Sequence, residues 1–289
     1  MPRDVSRTVH VSATPGTPAA RADRPAWTGR RGRPAIGGAL RPYRPPTRGA
    51  SVTDPTARPP IRLVVLDMAG TTVADDGLVL EAFTAAMAGH GVFPGEAAHE
   101  RMLAYVRATM GESKIAVFRE LLDGDERRAR AANAAFEEAY DALVAAGRCA
   151  AVPGAEETIR RLRADGVMVA LTTGFSARTQ SAILRALGWQ GLADVSLCPA
   201  DAGRGRPYPD LVFAALMRLG LDDVRAVAVA GDTAADMLTA RRAGAAVAAG
   251  VLTGAHDTRT LTAAGATHIL NSITDLPAIL TTADAPVPG

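Results

Sequence analysis

Short apolar runs that end in small or polar residues alternate with amphipathic stretches from residue 61 onwards. The runs have the length and the continuous apolar character of strands that are buried on both faces of a sheet. The predicted strands are Ile61–Leu66, Val167–Thr172, Val224–Ala230, Ala245–Leu252 and Thr267–Leu270. Apolar residues at a 3.6-residue period predict helices between them, at Ala155–Ala164, Ala177–Leu187, Leu211–Leu219 and Ala235–Ala243. This alternation predicts an α/β fold, a doubly wound parallel sheet with helices on both faces.

A purely helical stretch interrupts the alternation after the first predicted strand. It contains no strand pattern, and its amphipathic segments are Leu78–Gly89, Ala97–Ala108, Ser113–Leu122 and Glu126–Ala146. A ligand of such a sheet lies beyond the carboxyl ends of its strands. We therefore predict a helical cap over that edge at residues 78–149, inserted into an α/β core that is formed by residues 59–77 and 150–289.

The first 58 residues differ in composition from the rest of the chain. Within residues 1–60 lie 11 of the 19 prolines, and 11 arginines face three aspartates there, although the net charge of the whole chain is only +2. Without a helical or alternating apolar period, this segment has too little apolar surface to offset the entropy of ordering. We predict a disordered Arg/Pro-rich tail. Its only aromatic residues, Trp27 and Tyr43, are too few to favour nucleic acid as a partner.

The composition argues against two further classes of protein. No apolar run approaches the roughly 18 residues of a membrane span, so no membrane partner is expected. The two cysteines, Cys149 and Cys198, are too few for a disulfide framework or a structural zinc cluster. With no apolar signal segment and so little cysteine, the sequence predicts a cytoplasmic protein.

Charged and hydroxyl side chains follow the predicted strands at their carboxyl ends. Asp67 ends the first strand, Thr172 and Thr173 end the second, Asp232 ends a later strand, and Arg206 follows a Gly-rich loop. Because the carboxyl ends of parallel strands share one edge of the sheet, we expect these groups to converge. Carboxylates that bind Mg²⁺, hydroxyl and guanidinium groups that hold phosphate oxygens, and a carboxylate that attacks phosphorus together suit phosphoryl transfer.

Four short motifs in this order resemble those of the haloacid dehalogenase superfamily. They are D-M-A-G-T-T at Asp67, L-T-T-G-F at Leu171, G-R-P-Y-P at Gly205 and G-D-T-A-A-D-M at Gly231. The resemblance covers residues 60–280, including the position of the helical cap. It implies that Asp67 is the nucleophile. It also implies a Mg²⁺ site formed by Asp67, the backbone carbonyl of Ala69, Asp232 and Asp236, and a phosphoryl site formed by Thr173, Gly174 and Arg206.

Ala69 occupies a position at which the superfamily's ordinary phosphatases and mutases carry a second aspartate. That aspartate is the general acid for the departing alcohol, and a well-placed acid is worth roughly 10²–10⁴ in rate. Alanine has no proton to donate. The protein is therefore either a poor phosphatase or an enzyme whose leaving group does not need that proton.

The first motif also resembles that of the phosphonoacetaldehyde hydrolases, or phosphonatases, which cleave a carbon–phosphorus bond. The carbon leaving group would be a carbanion, which is too basic to depart unless its electrons are delocalised. An amine that condenses with the aldehyde group of the substrate provides an iminium that accepts these electrons. Phosphonatases carry this lysine in the pattern M-G-x-x-K, and the chain reads Met110-Gly111-Glu112-Ser113-Lys114. The resemblance implies that Lys114 forms the iminium and that Met110 and Gly111 contact the substrate.

Lys114 is also the only lysine among the 32 basic side chains, the others being arginine. A surface cation in this chain would be expected to be arginine, whose pKa is too high to yield a free nucleophile. The position of the sole amine side chain in the motif favours a catalytic role over a solvated one. Such a role requires a lowered pKa, for which burial under the cap and nearby Mg²⁺ and Arg206 are the expected causes.

Three positions depart from the phosphonatase pattern. Leu78, Val117 and Phe175 stand where phosphonatases carry a cysteine, a histidine and a tyrosine. These polar groups are suited to proton transfer around the iminium, so their absence indicates another phosphonate or another proton route. His90 and His99 are the histidines of the predicted cap that could take over this task.

The sequence therefore predicts a Mg²⁺-dependent hydrolase of a small phosphonoaldehyde, with a homodimer through the cap as one possible assembly. A phosphomonoester phosphatase remains an alternative, with Asp75, Asp76 or a water as the proton donor. A non-enzymatic binding protein on the same fold is a second alternative.

Overall fold

The structure is a computed structural model that describes residues 59–281, with the backbone alone at Thr281. The predicted tail, residues 1–58, lies outside the described residues. Six parallel strands form one sheet in the order β3-β2-β1-β4-β5-β6. They are β1 (Leu63–Asp67), β2 (Met168–Thr172), β3 (Val195–Leu197), β4 (Val227–Gly231), β5 (Val247–Val251) and β6 (His268–Leu270). This order confirms the predicted doubly wound parallel sheet.

Four helices separate β1 from β2, and we call them the inserted helices. They are α1 (Leu78–Ala88), α2 (Ala97–Ala108), α3 (Lys114–Leu121) and α4 (Glu126–Ala145). The remaining helices are α5 (Ala155–Ala164), α6 (Ala177–Ala186), α7 (Pro199–Ala202), α8 (Asp210–Arg218), α9 (Ala234–Ala243), α10 (Thr258–Ala264) and α11 (Leu276–Thr281). No helix within residues 59–281 has both the length and the apolar character needed to cross a bilayer.

The short helices α7, α10 and α11 were not predicted, and two strands differ from the sequence prediction. The predicted strand Val224–Ala230 begins only at Val227, because Val224–Ala226 forms a 3₁₀ turn in which the Asp223 carboxylate accepts the N–H of Arg225 at 2.9 Å. Strand β3 was not predicted. It has three residues, two of them only half-buried, and is too short to form a recognisable pattern.

The strands owe their continuous apolar character to burial on both faces. Along β1, Leu63 and Val65 contact the hydrophobic cluster under α8 and α9, whereas Val64 and Leu66 contact the cluster that includes the inserted helices. Successive side chains of a strand point to opposite faces, so a strand covered on both sides needs apolar residues at every position. This explains why an apolar run predicted the strand where an alternating pattern would not.

The direction in which the chain adds strands to the sheet reverses at β1. The chain runs outward from β1 to β2 and β3, then returns to β4 on the other side of β1. Leu66 pairs with Ala230 across β1 and β4, so the residues that follow these two strands lie side by side. A crevice at such a reversal is the usual ligand site of a doubly wound sheet. Asp67 and Asp232 both lie at this crevice.

An aromatic cluster joins the inserted helices to the loop after β2. Phe83, Phe118, Phe136 and Tyr140 come from the inserted helices, and Phe175 comes from the loop. The rings of Tyr140 and Phe175 are 4.6 Å apart, a separation typical of stabilising aromatic pairs. The cluster fixes the inserted helices beside the crevice. The division into a core and a cap at residues 78 and 149 stays a prediction.

Candidate functional site

Three buried carboxylates meet where β1 and β4 end. Asp67 is the last residue of β1, Asp232 follows β4, and Asp236 lies in the first turn of α9. One oxygen of each lies within 4.8 Å of the others, and at most 3% of each residue is exposed. Charged residues are almost never buried without a partner, so this cluster requires compensating charge.

The Asp232 carboxylate is held by donors from two loops. The Thr71 hydroxyl donates to its Oδ1 at 3.0 Å, and the N–H of Ala255 donates to its Oδ2 at 2.8 Å. Gly70, with a φ of +88°, passes so close to this carboxylate that a Cβ there would collide with it. Gly70 is therefore required in the first motif for two reasons, its left-handed backbone conformation and its lack of a Cβ.

Asp236 is fixed by a capping box at the start of α9. The Thr233 side chain accepts from the N–H of Asp236, and the Asp236 side chain accepts from the N–H of Thr233 at 3.1 Å. This reciprocal pairing satisfies N–H groups that have no partner within the helix. The motif G-D-T-A-A-D-M thus forms the end of a strand, a cap and a carboxylate in seven residues.

Arg206 is the buried cation of the carboxylate cluster. Its Nη2 lies 2.6 Å from Oδ1 of Asp67, and its Nη1 pairs with Asp236. Its Nε is buried and has no hydrogen-bond partner among the described residues. The resemblance implied that Arg206 holds phosphoryl oxygens. In the structure two of its nitrogens pair with carboxylates and the third remains as a buried donor.

The charge at the site favours a cation in addition to Arg206. Burial raises the pKa of Asp67 to about 6 despite the opposing charge of Arg206, and burial with the neighbouring carboxylates raises the pKa of Asp232 well above its ordinary value. When ionised, the three carboxylates carry more charge than Arg206 and the nearby Lys114 together, which leaves an excess of negative charge in a buried place. Oxygen ligands of this kind suit a divalent metal ion, so the residues fit the predicted metal site.

The second motif forms the loop after β2. The N–H of Thr173 donates to the carbonyl of Leu197 at 3.2 Å, and its Oγ1 accepts from the N–H of Phe175 at 3.2 Å. A Cβ at Gly174 would collide with the carbonyl of Glu112 from the turn before α3. Glycine at this position therefore lets the inserted helices approach the sheet.

Lys114 begins α3 and is buried beside this loop. Its N–H donates to the carbonyl of Gly174 at 3.3 Å, and its Nζ lies 5.3 Å from the ring centre of Phe175 and 5.9 Å from that of Phe83. Among the described residues Nζ has no ion pair. Burial, with the charge of Arg206, lowers the pKa of Lys114 to about 8, although nearby carboxylates oppose the shift.

A small cavity brings the predicted site residues together. It has about 20 Å³ of free space, enough for about one water molecule. Its lining includes Asp67, Ala69, Asp75, Met110, Gly111, Lys114, Thr173, Gly174, Phe175, Arg206 and Asp232. A second cavity of about 160 Å³ shares Lys114, Gly174 and Phe175 with it. Of the predicted site residues, only Asp236 does not line the first cavity, and it reaches the site through Arg206.

The remaining candidate residues from the sequence differ in whether they line this cavity. Asp75 lines the cavity, whereas Asp76 is exposed at a φ of +41°. His99 bonds to the Thr84 hydroxyl at 3.1 Å, and neither His99 nor His90 lines the cavity. Leu78, Val117 and Phe175 are buried among the apolar residues of the core.

Sequence reasoning missed two groups near the site. Tyr140 on α4 is fully buried, packs on Phe175 and has a hydroxyl without a partner among the described residues. His256, in the loop after β5, bonds both to the start of α9 and to the end of α2. Both lie outside the motifs, and neither has a spacing that would single it out.

Comparison with known proteins agrees with this geometry. Residues 61–244 match the family model described as haloacid dehalogenase-like hydrolase. The phosphonoacetaldehyde hydrolase of Nitratidesulfovibrio vulgaris is 32% identical over 202 residues, which cover 64% of this chain and 69% of the relative. The motifs are therefore part of a similarity that extends over most of the described chain.

Solved structures share the fold at lower identity. A phosphonoacetaldehyde hydrolase-like protein from Oleispira antarctica superposes with a TM-score of 0.68 at 22% identity, covering 78% of this chain and 93% of its own. A predicted phosphoglycolate phosphatase from Haemophilus somnus gives a TM-score of 0.63 at 18% identity, covering 76% and 97%. The chain belongs to the haloacid dehalogenase-like hydrolases, and its activity is that of a hydrolase.

Proposed function

We propose that the protein is a Mg²⁺-dependent hydrolase that cleaves the carbon–phosphorus bond of a small phosphonoaldehyde such as phosphonoacetaldehyde. The observation that carries the proposal is the position of Lys114. The only lysine of the chain is buried in the cavity that Asp67 lines, and its pKa is lowered to about 8. The relative from Nitratidesulfovibrio vulgaris carries the name of this activity, which supports the proposal.

Lys114 supplies the electron sink. Its free amine adds to the aldehyde carbonyl, and loss of water gives an iminium whose carbon is one bond from the carbon that carries phosphorus. When the C–P bond breaks, its electron pair forms a C=C bond and the nitrogen becomes neutral, so the leaving group is an enamine instead of a carbanion. Protonation at carbon and hydrolysis then release acetaldehyde and the amine.

Asp67 accepts the phosphoryl group. Its carboxylate attacks phosphorus opposite the C–P bond, and water then hydrolyses the aspartyl phosphate to inorganic phosphate. We expect Thr173 and the Nε of Arg206, which has no hydrogen-bond partner within residues 59–281, to bind phosphoryl oxygens; both residues line the cavity. Fixed donors of this kind stabilise the charge that develops on those oxygens. Met110 and Gly111 line the same cavity and would contact the substrate.

Asp67, Asp232, the carbonyl of Ala69 and, through its support of the cluster, Asp236 would hold the Mg²⁺ ion. When bound, the ion neutralises charge on the phosphoryl oxygens and on the carboxylates. The chain itself fixes Asp232 through Thr71 and Ala255 and fixes Asp236 through Thr233. These contacts keep the carboxylate oxygens in place before any ligand binds.

The inserted helices must move to admit the substrate. The cavity has room for about one water molecule, and a phosphoryl group with two carbons is larger. We therefore propose that residues 78–149 act as a cap that opens for binding and closes for chemistry. Closure brings Lys114 to the aldehyde and excludes water from the iminium.

A phosphomonoester phosphatase is the second candidate, and one observation favours it. Asp75 lies in the cavity, and burial raises its pKa, although the N–H of Val79 and the charge of Lys114 oppose the shift. A carboxyl group with a raised pKa is suited to protonate a leaving alcohol. In that reaction Lys114 would not form a covalent bond.

A turnover assay separates these candidates. Incubation with phosphonoacetaldehyde and Mg²⁺ is expected to release phosphate and acetaldehyde in equal amounts, and removal of Mg²⁺ with a chelator is expected to stop the release. A phosphoglycolate control should give little phosphate, because position 69 has no acid. Rapid hydrolysis of the ester with no acetaldehyde from the phosphonate would favour the phosphatase instead.

The pH dependence of this turnover follows from Lys114. Only the free amine adds to an aldehyde, and its fraction rises with pH up to the pKa of about 8. We expect kcat/KM for phosphonoacetaldehyde to fall about tenfold for each pH unit between about pH 8 and about pH 6, the pKa of Asp67. A lysine with its ordinary pKa would extend this rise to about pH 10.5, so a pH–rate profile in which kcat/KM still climbs above pH 9 contradicts the lowered pKa.

A further inference from the structure

We infer that His256 is a positioning residue that latches the inserted helices to the loop that holds Asp232. The inference deepens the proposed function and rests on it for the role of Lys114. His256 belongs to the loop after β5, residues 252–256, which we call the bridging loop. The bridging loop contacts the first-motif loop, Asp232, the start of α9 and the end of α2.

The bridging loop is tied first to the carboxylate cluster. The N–H of Ala255 donates to Oδ2 of Asp232 at 2.8 Å, and the N–H of His256 donates to the Asp232 backbone carbonyl at 3.2 Å. The Thr253 hydroxyl donates to the carbonyl of Gly70 at 2.7 Å. A displacement of the bridging loop therefore moves two of the groups that set the position of Asp232.

Each ring nitrogen of His256 makes one hydrogen bond. Its Nδ1 accepts the N–H of Ala234, the first residue of α9, at 2.8 Å, so the proton of the neutral ring is on Nε2. Nε2 lies 3.1 Å from the carbonyl of Arg107 near the end of α2 and donates to it. The N–H of Ala234 is in the first turn of α9 and has no partner within that helix, whereas the Arg107 carbonyl also accepts from the N–H of Met110 at 3.4 Å. The ring therefore forms one hydrogen bond with α9 and one with α2.

The bond to Arg107 also contributes to the position of Lys114. Helix α2 ends one residue after Arg107, and a short turn leads from there through Gly111 to Lys114 at the start of α3. A Cβ at Gly111 would collide with Thr233, so this turn lies directly against the start of α9. His256 fixes the near end of the turn on the same side of the site.

The His256 side chain therefore links the position of the Lys114 amine to the position of the Asp232 carboxylate. The ring is half-buried and Arg107 is exposed, so water can replace the bond when the inserted helices open. On closure the bond re-forms and holds the turn before Lys114 at the distance from Asp232 that the structure shows. His256 touches no reacting atom and acts through the backbone of these two segments.

Two substitutions test the latch. His256→Phe keeps a ring of similar size but removes both hydrogen bonds, whereas His256→Gln offers an amide oxygen as acceptor and an amide N–H as donor. Native-state amide hydrogen exchange over residues 107–114 is the first measurement. We expect His256→Phe to speed exchange there about tenfold, the effect of losing one ordinary hydrogen bond, and His256→Gln to restore much of the protection. His90→Phe, which replaces a histidine of the turn after α1 and outside the cavity, should leave exchange over 107–114 unchanged.

Kinetics supply the second measurement. His256→Phe is expected to lower kcat for phosphonoacetaldehyde more than kcat for acetyl phosphate, whose acetate leaving group needs neither an iminium nor a general acid. A purely structural role would lower both equally. The latch is overturned if exchange over 107–114 in His256→Phe equals that of the wild type, or if the two substrates lose activity in the same proportion.

Failure of the latch and failure of the proposed function give different results. Hydrogen exchange requires no substrate, so a wild-type protein that releases no acetaldehyde would refute the phosphonate activity while the exchange result still decides the latch. Conversely, normal turnover with unchanged exchange in His256→Phe would refute the latch alone. Thermal unfolding of both variants shows whether the fold is retained. If His256→Phe does not fold, His256→Ala, which also removes both ring hydrogen bonds, takes its place in both measurements.

Discussion

Lys114→Arg is expected to abolish cleavage of phosphonoacetaldehyde while it leaves hydrolysis of acetyl phosphate within a few fold of the wild type. Arginine keeps a positive charge beside Phe83 and Phe175, but it has no free amine to condense with an aldehyde. Without the iminium, the C–P electron pair has no acceptor. We expect a loss of about 10⁴-fold or more in kcat, comparable with the removal of a covalent nucleophile.

Borohydride trapping measures the iminium directly. Reduction in the presence of phosphonoacetaldehyde is expected to attach the substrate carbons irreversibly to the peptide that contains Lys114 in the wild-type protein, and to attach nothing to that peptide in Lys114→Arg. Lys114 is the only lysine of the chain, so peptide mapping needs to distinguish it only from the N-terminal amine. Turnover of phosphonoacetaldehyde at the wild-type rate by Lys114→Arg would refute the Schiff base.

A second lysine provides a matched control. Arg101 is exposed on α2, and Arg101→Lys places an amine on the inserted helices outside the cavity. In combination with Lys114→Arg it should restore neither trapping nor turnover. Its amine would be solvated and mostly protonated at pH 8, whereas burial lowers the pKa of Lys114. The control thereby separates the presence of a lysine from the position of one.

The sequence sufficed to predict five of the six strands and the residues at the carboxyl edge of the sheet. Strand ends in a parallel sheet converge whatever the loops do, so Asp67, Thr173 and Asp232 could be placed together from their positions after apolar runs. Lys114 could be added because a motif and an unusual composition agreed on one residue. The structure places all four around one cavity.

The pairing within the site could not be predicted in the same way. Arg206 was expected to bind phosphoryl oxygens, yet two of its nitrogens pair with Asp67 and Asp236. A guanidinium has five donors, and which acceptors they find depends on side-chain packing that no local pattern encodes. The contacts of His256 depend on the meeting of a loop and a helix about 150 residues apart in the chain.

Burial and charge likewise emerge only from the assembled fold. Burial and Arg206 were expected causes of a lowered Lys114 pKa, and both contribute. The sequence did not indicate that carboxylates oppose them, nor that the Tyr140 hydroxyl is buried with no hydrogen-bond partner between residues 59 and 281. Such a group costs free energy, about 1–3 kcal/mol when nothing replaces its hydrogen bond to water. A bound water or a substrate group next to the Tyr140 hydroxyl would therefore gain a hydrogen-bond donor.

Asp67→Asn is expected to slow phosphate release from phosphonoacetaldehyde and from acetyl phosphate alike, by about 10⁴-fold or more, because the neutral amide oxygen is a far weaker nucleophile than a carboxylate and cannot form the aspartyl phosphate. Phosphate release within tenfold of the wild type from either substrate would refute Asp67 as the nucleophile. The fold should be retained. Burial raises the pKa of Asp67 above that of the unfolded chain, so its ionised form costs stability above pH 6 and the neutral amide removes that cost.

Thermal unfolding and trapping complete the test of Asp67. At pH 8 without metal, Asp67→Asn is expected to unfold at the same temperature as the wild type or higher, since two carboxylates instead of three then surround Arg206. Borohydride trapping at Lys114 should persist, because iminium formation does not need the Asp67 carboxylate. Asp67→Asn would therefore trap the aldehyde without releasing phosphate, whereas Lys114→Arg would hydrolyse acetyl phosphate without trapping. Only a site with separate electron-sink and phosphoryl-acceptor residues gives this pair of opposite results.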